Sequence, residues 1–250
     1  EICSELDQRF IRRIRNIPNE ALIISNPSGQ DRNEPVEVDV IVAANRSFAE
    51  PHIYCDGAEI PSYVLGVKPD TLLRFVPSSG FVGQLSIAVF KMLLNPGSIP
   101  ATGYKALEIR GGYLHAQSVE GLVKGLKHIE NEYLCVEINP DATINVLDKI
   151  TGHRYTGLNS FIDNGEAGNG FQHVPPYKDD IAVSSGKDIS VTIVENNPLR
   201  GIINVSQRFA VPVGLTPDML SRSAKMTDLV ISSDIIRSEE HTSELQSLSH

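Results

Sequence analysis

The sequence is short of most features that usually point to a function. Its three cysteines in 250 residues, Cys3, Cys55 and Cys135, show neither paired nor metal-ligand spacing. That argues against a disulfide-stapled module and predicts a reducing, cytoplasmic setting. No apolar run approaches the roughly 20 residues of a membrane-spanning helix, so no membrane partner is expected. Basic charge is sparse: the formal net charge is −9, and the arginines cluster only at Arg9, Arg12, Arg13 and Arg15, read as the solvated face of a short helix. A nucleic-acid partner, which needs clustered Lys and Arg, is therefore not expected. There is no H-E-x-x-H pair and no G-x-S-x-G elbow, and Ser185-Gly186-Lys187 lacks the upstream glycine of a phosphate loop. The seven histidines are scattered, whereas a zinc site needs three or four convergent ligands. No cofactor and no metal ligand is expected on this chain.

What is present is a core-forming composition with two successive periods. Hydrophobic residues make up 41% of the chain, enough for one or two domains. Ile2, Leu6, Phe10 and Ile14 recur every four residues, an amphipathic helix that Pro18 stops. Its apolar stripe lacks an evident partner, so self-association into a homo-oligomer is expected. From there the period becomes two. Val36, Val38, Val40 and Val42 alternate with Glu37 and Asp39, and Asp56-Gly57 between Ile53 and Ile60 predicts a tight hairpin. LLRFV, LSIAVF and YKALEI add strands. A glycine-dotted stretch follows, and then Leu134, Val136 and Ile138, a turn at Pro140-Asp141, and Ile144 and Val146 coming back. VTIVE and GIINVSQRFAV continue the alternation, with Ile203, Val205, Gln207, Phe209 and Val211 on one face. The prediction is a mainly β chain: a short N-terminal helix followed by two antiparallel β-sandwich-like domains. Residues 1–18 are read as the end of a helical bundle, 19–111 as the first β domain, 112–127 as a linker and 128–236 as the start of a second.

The end of the chain reads differently. Arg237 to Ser247, RSEEHTSELQS, resembles the codon-for-codon translation of a common sequencing adaptor. It begins where the strand-like MTDLVISSDII stops. Residues 237–250 are thus expected to be an artefactual tail that buries little.

One loop could carry recognition. Asp163 to Gln172, DNGEAGNGFQ, gathers short polar groups suited to sugar hydroxyls, an aromatic face and glycines that let backbone approach closely. A plain glycine-rich turn, with Phe171 plugging the sheet edge, explains the same composition. The loop acids Asp163, Glu166, Asp179 and Asp180 have no supporting motif, and none is assigned as catalytic.

Several segments, in order, resemble glycoside hydrolase family 38, the retaining α-mannosidases. SELDQRFIRRIRNIP is similar to the last helix of that family's bundle, ALIISNPSGQDRNEPVEVDV to the strand and Asn-Pro turn after it, and IPATGYKALEI to its Pro-x-x-Gly-Tyr strand. IENEYLCVEINPDATINVLDKITGHRYTGLN resembles the most recognisable block, and FIDNGEAGNGFQHVPP the loop beyond. Glu130-Asn131-Glu132-Tyr133 and Asp148-Lys149-Ile150-Thr151-Gly152 are the most specific parts. Cys135 stands where an arginine is usual, and Ala142 where a Pro-Asp-Gly turn has glycine. Many bacterial members read Gly-Asp-Glu-Tyr at Gly168-Asn169-Gly170-Phe171.

The resemblance implies the post-catalytic β region of an enzyme that hydrolyses terminal α-mannosides, mannosylglycerate-type substrates among them. It implies an aspartate nucleophile, a carboxylic acid–base and a zinc ion in the parent enzyme, all upstream of this chain, with the mannoside held by that catalytic domain. The chain alone is expected to be inactive. Asn169, Phe171 and Gln172 would reach over to wall the mannose subsite, with Phe171 offering a face but no hydroxyl. A different class of function, a stand-alone carbohydrate-binding β-sandwich, remains the alternative.

Overall fold

The computed structural model describes residues 21–43, 50–75, 83–112 and 120–238. The helix expected over residues 1–18 lies outside them. Every regular element among the described residues is a strand, and none is a helix that could cross a membrane. The chain divides into two compact units, residues 1–118 and 119–250.

In the first unit the strands are β1 (Ala21–Ser25), β2 (Val36–Ala43), β3 (Glu50–Cys55), β4 (Ala58–Glu59), β5 (Ser62–Phe75), β6 (Gly83–Leu94) and β7 (Tyr104–Gly112). They form two antiparallel sheets, in the orders β1-β7-β3-β4 and β2-β6-β5. The alternation of β2 decides its orientation: Val40 and Val42 are buried while Glu37, Asp39 and Ile41 face out. Val40, Val42, Phe90, Met92 and Leu94 of one sheet share a core with Ile53 and Leu107 of the other. Two pleated faces meeting over one core is the arrangement of a sandwich. The predicted hairpin forms at Asp56-Gly57, whose φ angles of 51° and 83° match a turn that needs positive φ at both central residues. Buried Asn26 closes one end, donating through Nδ2 to the carbonyls of Ile99 and Pro100, both at 3.1 Å.

The second unit contains β8 (Val123–Gly125), β9 (His128–Glu130), β10 (Leu134–Ile138), β11 (Ile144–Asp148), β12 (Arg154–Leu158), β13 (Ile162–Asp163), β14 (Ala182–Val183), β15 (Lys187–Asn196), β16 (Arg200–Pro212) and β17 (Met226–Ser238). A five-stranded sheet, β12-β11-β10-β9-β8, and a three-stranded one, β15-β16-β17, share a core; β13 and β14 pair separately. Ile129, Val136, Ile138, Ile144 and Val146 meet Ile203, Val205 and Ile235 there. The sheets approach closely at Gly201, where a Cβ would lie 2.7 Å from Cδ1 of Ile129 and 3.0 Å from Cγ2 of Val123. The stretch read as a linker thus supplies core: Leu122 and Val123 are buried, and the Asn196 side chain bonds both backbone groups of Val123, at 2.9 and 3.1 Å.

The two most specific motifs are turns, and one lysine ties them together. Asn131 caps the first, its Oδ1 accepting from the Tyr133 and Leu134 amides at 2.9 Å each. Asp148 caps the second, Oδ1 accepting from Ile150 and Thr151 at 2.8 and 3.1 Å, and Gly152 closes it at φ 72°. Lys149 then donates to Glu130 Oε2 at 2.9 Å and to the Asn131 carbonyl at 2.7 Å.

Ala142, in the Pro140-Asp141 turn, has φ 67° and is fully buried in the core. Left-handed geometry costs an alanine about 1–2 kcal/mol. Glycine would relieve this but lose a buried methyl and gain chain entropy on unfolding, roughly offsetting terms. The replacement of glycine here is therefore tolerable.

Arg237 and Ser238, read from the sequence as the start of the tail, lie in β17, which runs on to Ser238 and pairs Arg237 with Gly201 and Ser238 with Arg200. Arg237 is buried, and the Ser238 carbonyl accepts from Asn131 Nδ2 at 3.1 Å. Residues 239–250 lie outside the described residues.

A chain ending at Ile236 is expected to be less stable than one ending at Ser238 by about 1–3 kcal/mol, the cost of stranding the buried Asn131 donor. Urea unfolding of the two chains measures this; coincident midpoints would show that Arg237 and Ser238 do not belong to the sheet.

Candidate functional site

The candidate loop is a strap closed at its base. Ile162 pairs with Val183 and Asp163 with Ala182, leaving residues 164–181 to project from β13 and β14. At its tip Asn169 and Gln172 exchange backbone hydrogen bonds at 3.3 Å, with Gly170 and Phe171 between them. Asn169 stabilises the same turn with its side chain, Oδ1 accepting from the Phe171 and Gln172 amides at 2.9 and 3.2 Å. Gly168 is needed for close approach, since a Cβ there would meet the Gln172 carbonyl at 2.2 Å.

Below the tip the loop acids are engaged inward. Glu166 Oε1 accepts from the Gly168 amide at 2.5 Å and the Val174 amide at 3.1 Å, and its Oε2 pairs with His173 Nδ1. The Val174 amide, then His173, then the Gly168 amide hold its carboxyl below the usual glutamate range. That direction suits a structural anion and is wrong for a general acid, which needs a raised pKa. Asp179 accepts from the Gly165 amide with both oxygens, at 3.0 and 3.1 Å.

Arg222 anchors the strap to the following loop. Its side chain is only 5% exposed. Nη1 donates to the Asp163 carbonyl at 2.8 Å and the Asp180 carbonyl at 3.3 Å, Nη2 pairs with the Asp163 carboxylate, and Asp179 Oδ1 lies 4.0 Å from Nη1. Backbone reinforces the contact, with the Lys178 amide donating to the Leu220 carbonyl at 2.9 Å. A planar, always-charged fork suits a site that must satisfy carbonyls and a carboxylate together.

The structure brings the three predicted residues together on one exposed turn. Asn169 and Gln172 are exposed, and Phe171 is 101% exposed. This excludes the reading of Phe171 as a plug in the sheet edge. Asn169 Oδ1 serves the turn, so any hydroxyl recognition by this residue falls to Nδ2. Tyr177, 94% exposed on the same strap, is a second aromatic that sequence reading missed. Arg222 was missed as well, because no local motif connects it to Asp163, 59 residues away.

No family model matches the sequence. Over 84 residues the chain is 30% identical to a protein of Halalkalibacterium halodurans provisionally named a mannosylglycerate hydrolase, a match covering 34% of this chain and 9% of that protein. Its fold is similar to that of an alpha-mannosidase from Enterococcus faecalis V583, with TM-score 0.82 and 17% identity, covering 94% of this chain and 30% of that one. It is also similar to a glycosyl hydrolase family 38 protein of Enterococcus faecalis, with TM-score 0.79, 15% identity and 94% and 32% coverage. The chain therefore spans about a third of the length of these solved relatives.

Two outcomes follow from the strap's construction. Arg222→Ala leaves carbonyls and the Asp163 carboxylate without their donor, an expected loss of about 1–3 kcal/mol; amide exchange should accelerate across 163–180 and not in β10 or β11. Uniform acceleration would show that Arg222 serves the whole unit. Acid should loosen the tip through Glu166. Its folded pKa is depressed, so its contribution is complete above the ordinary glutamate value and is lost as pH falls through the folded value. Protection of the Gly168 and Val174 amides should fall over that window in the native chain, and Glu166→Gln should remove the pH dependence.

Proposed function

We propose that this chain is the post-catalytic β region of a retaining α-mannosidase of glycoside hydrolase family 38, and that the strap completes a sugar subsite on the catalytic domain. The observation that carries this reading is the fold it shares, over 94% of the chain, with an alpha-mannosidase and with a glycosyl hydrolase family 38 protein. The match to a protein named for mannosylglycerate hydrolysis supports terminal α-mannosides as the substrate class, mannosylglycerate among them.

In such an enzyme two carboxylates about 5–5.5 Å apart act as nucleophile and acid–base. The strap acids do not suit those roles. Asp163 and Asp179 face Arg222, and Glu166 faces backbone amides and His173. The same engagement makes them a poor ligand set for the zinc ion of the parent enzyme, which would be held by the catalytic domain. The strap's contribution is a surface: the apolar face of Phe171 against the carbon side of a sugar ring, with polar groups of Asn169 and Gln172 beside it. Its internal bonds keep that surface ordered before a sugar arrives, which lowers the entropy lost on binding.

A stand-alone carbohydrate-binding module is the second reading, favoured by the two exposed aromatics Phe171 and Tyr177. The readings separate experimentally. With an aryl α-mannoside and added zinc, the purified chain is expected to show no turnover above buffer; metal-dependent release would overturn the proposal. Saturable mannoside binding by the isolated chain, abolished in Phe171→Ala, would replace it with the binding-module reading. In a protein joining this region to its catalytic domain, Phe171→Ala should raise KM or lower kcat with little change in Tm.

A further inference from the structure

Outside the strap, one group of side chains converges as metal ligands do. His128 and Glu130 lie two residues apart on β9, so both project from the same face, while Ile129 between them is fully buried in the core. The register of β9 against β10 sets Glu130 opposite Cys135 and His128 opposite Glu137. Cys135 is therefore diagonal to His128, on the face away from the core, and close enough for side-chain contact. His128 Nε2 lies 3.3 Å from Cys135 Sγ and 3.6 Å from Glu130 Oε2. The three donor atoms all lie within 4.8 Å of one another.

Those separations have a meaning. Zinc takes sulfur at about 2.3 Å and imidazole nitrogen or carboxylate oxygen at about 2.0–2.2 Å, in tetrahedral geometry. Two such ligands then stand about 3.3–3.6 Å apart, the spacing here of both pairs that share His128 Nε2, with the Cys135–Glu130 pair within 4.8 Å. One thiolate, one imidazole and one carboxylate form a borderline donor set that selects zinc-like ions over calcium or magnesium. We propose that His128, Glu130 and Cys135 form a site for a zinc-type divalent ion on the outer face of the five-stranded sheet, with water in the fourth position.

Neighbouring groups bear on this. Glu137, opposite His128, is ion-paired with Arg154 at 3.2 Å, so its charge is largely compensated. Lys149 donates to the same Glu130 oxygen, Oε2, and opposes a cation, but a carboxylate oxygen keeps a further lone pair for the ion. An ion bound here would deprotonate the Cys135 thiol by direct bonding. The signal was present in sequence as His-x-Glu, a turn and a Cys, but it becomes a ligand set only once the hairpin register is known.

Cobalt(II) tests the site on the full chain after removal of metals by a chelator, because a thiolate bound to cobalt gives a charge-transfer absorption that imidazole and carboxylate alone do not. One equivalent of Co²⁺ should produce that band, and Zn²⁺ should remove it. The double variant Cys3→Ser/Cys55→Ser, which leaves Cys135 as the sole thiol, should retain the band. Cys135→Ser, folded by circular dichroism, should lose it, and His128→Ala and Glu130→Gln should each weaken binding about tenfold or more, as loss of a metal-site partner does. Absence of the band from the native chain at saturating Co²⁺, its loss from the double variant, or its persistence in Cys135→Ser would overturn the proposal. The first outcome would leave the Cys135–His128 contact as a hydrogen bond only. None of these readouts depends on mannosidase activity.

Discussion

The second unit is organised by the closeness with which its two sheets meet. Gly201 sits where β16 crosses Val123 and Ile129, and its missing side chain lets the sheets come together. A methyl group there would push against two buried apolar residues in a densely packed interior. With that approach in place, Ile203 and Val205 reach the core, Gln207, Phe209 and Val211 follow on the same buried face of β16, and β17 is registered alongside.

The strands were legible from period-two alternation, because burying one face of a sheet leaves that pattern in Val36–Val42 and in Ile203–Val211. The hairpin at Asp56-Gly57 was legible because few residues accept positive φ. The extent of β17 was not: RSEE carries no apolar residue, yet Arg237 and Ser238 continue the ladder through backbone bonds that any residue but proline can make. The same holds for β8, three residues in a glycine-dotted stretch, held to β15 by a side-chain amide standing in for backbone.

The motifs that suggested the family turn out to be structural joints. Asn131 and Asp148 cap turns, and Lys149 links one to the other. Such residues report a fold and are silent about chemistry, which is why a sequence so recognisable in these blocks reveals so little about catalysis. The strap was half legible. Its composition pointed to exposed aromatic and polar groups, but its anchor, Arg222, is brought in by the chain's return path. Likewise His128, Glu130 and Cys135 are ordinary in sequence and become a constellation only through antiparallel register.

The strap's division of labour bears on how such a protein changes over time. Its shape is maintained by Glu166, Asn169, Asp179 and Arg222, whereas the Phe171 side chain makes no demand on the fold. Substitution can therefore act on Gly170 and Phe171, two adjacent codons, without first compensating a loss of stability. A lineage could exchange this aromatic for one with a hydroxyl, or for none, and the sheets beneath would register nothing.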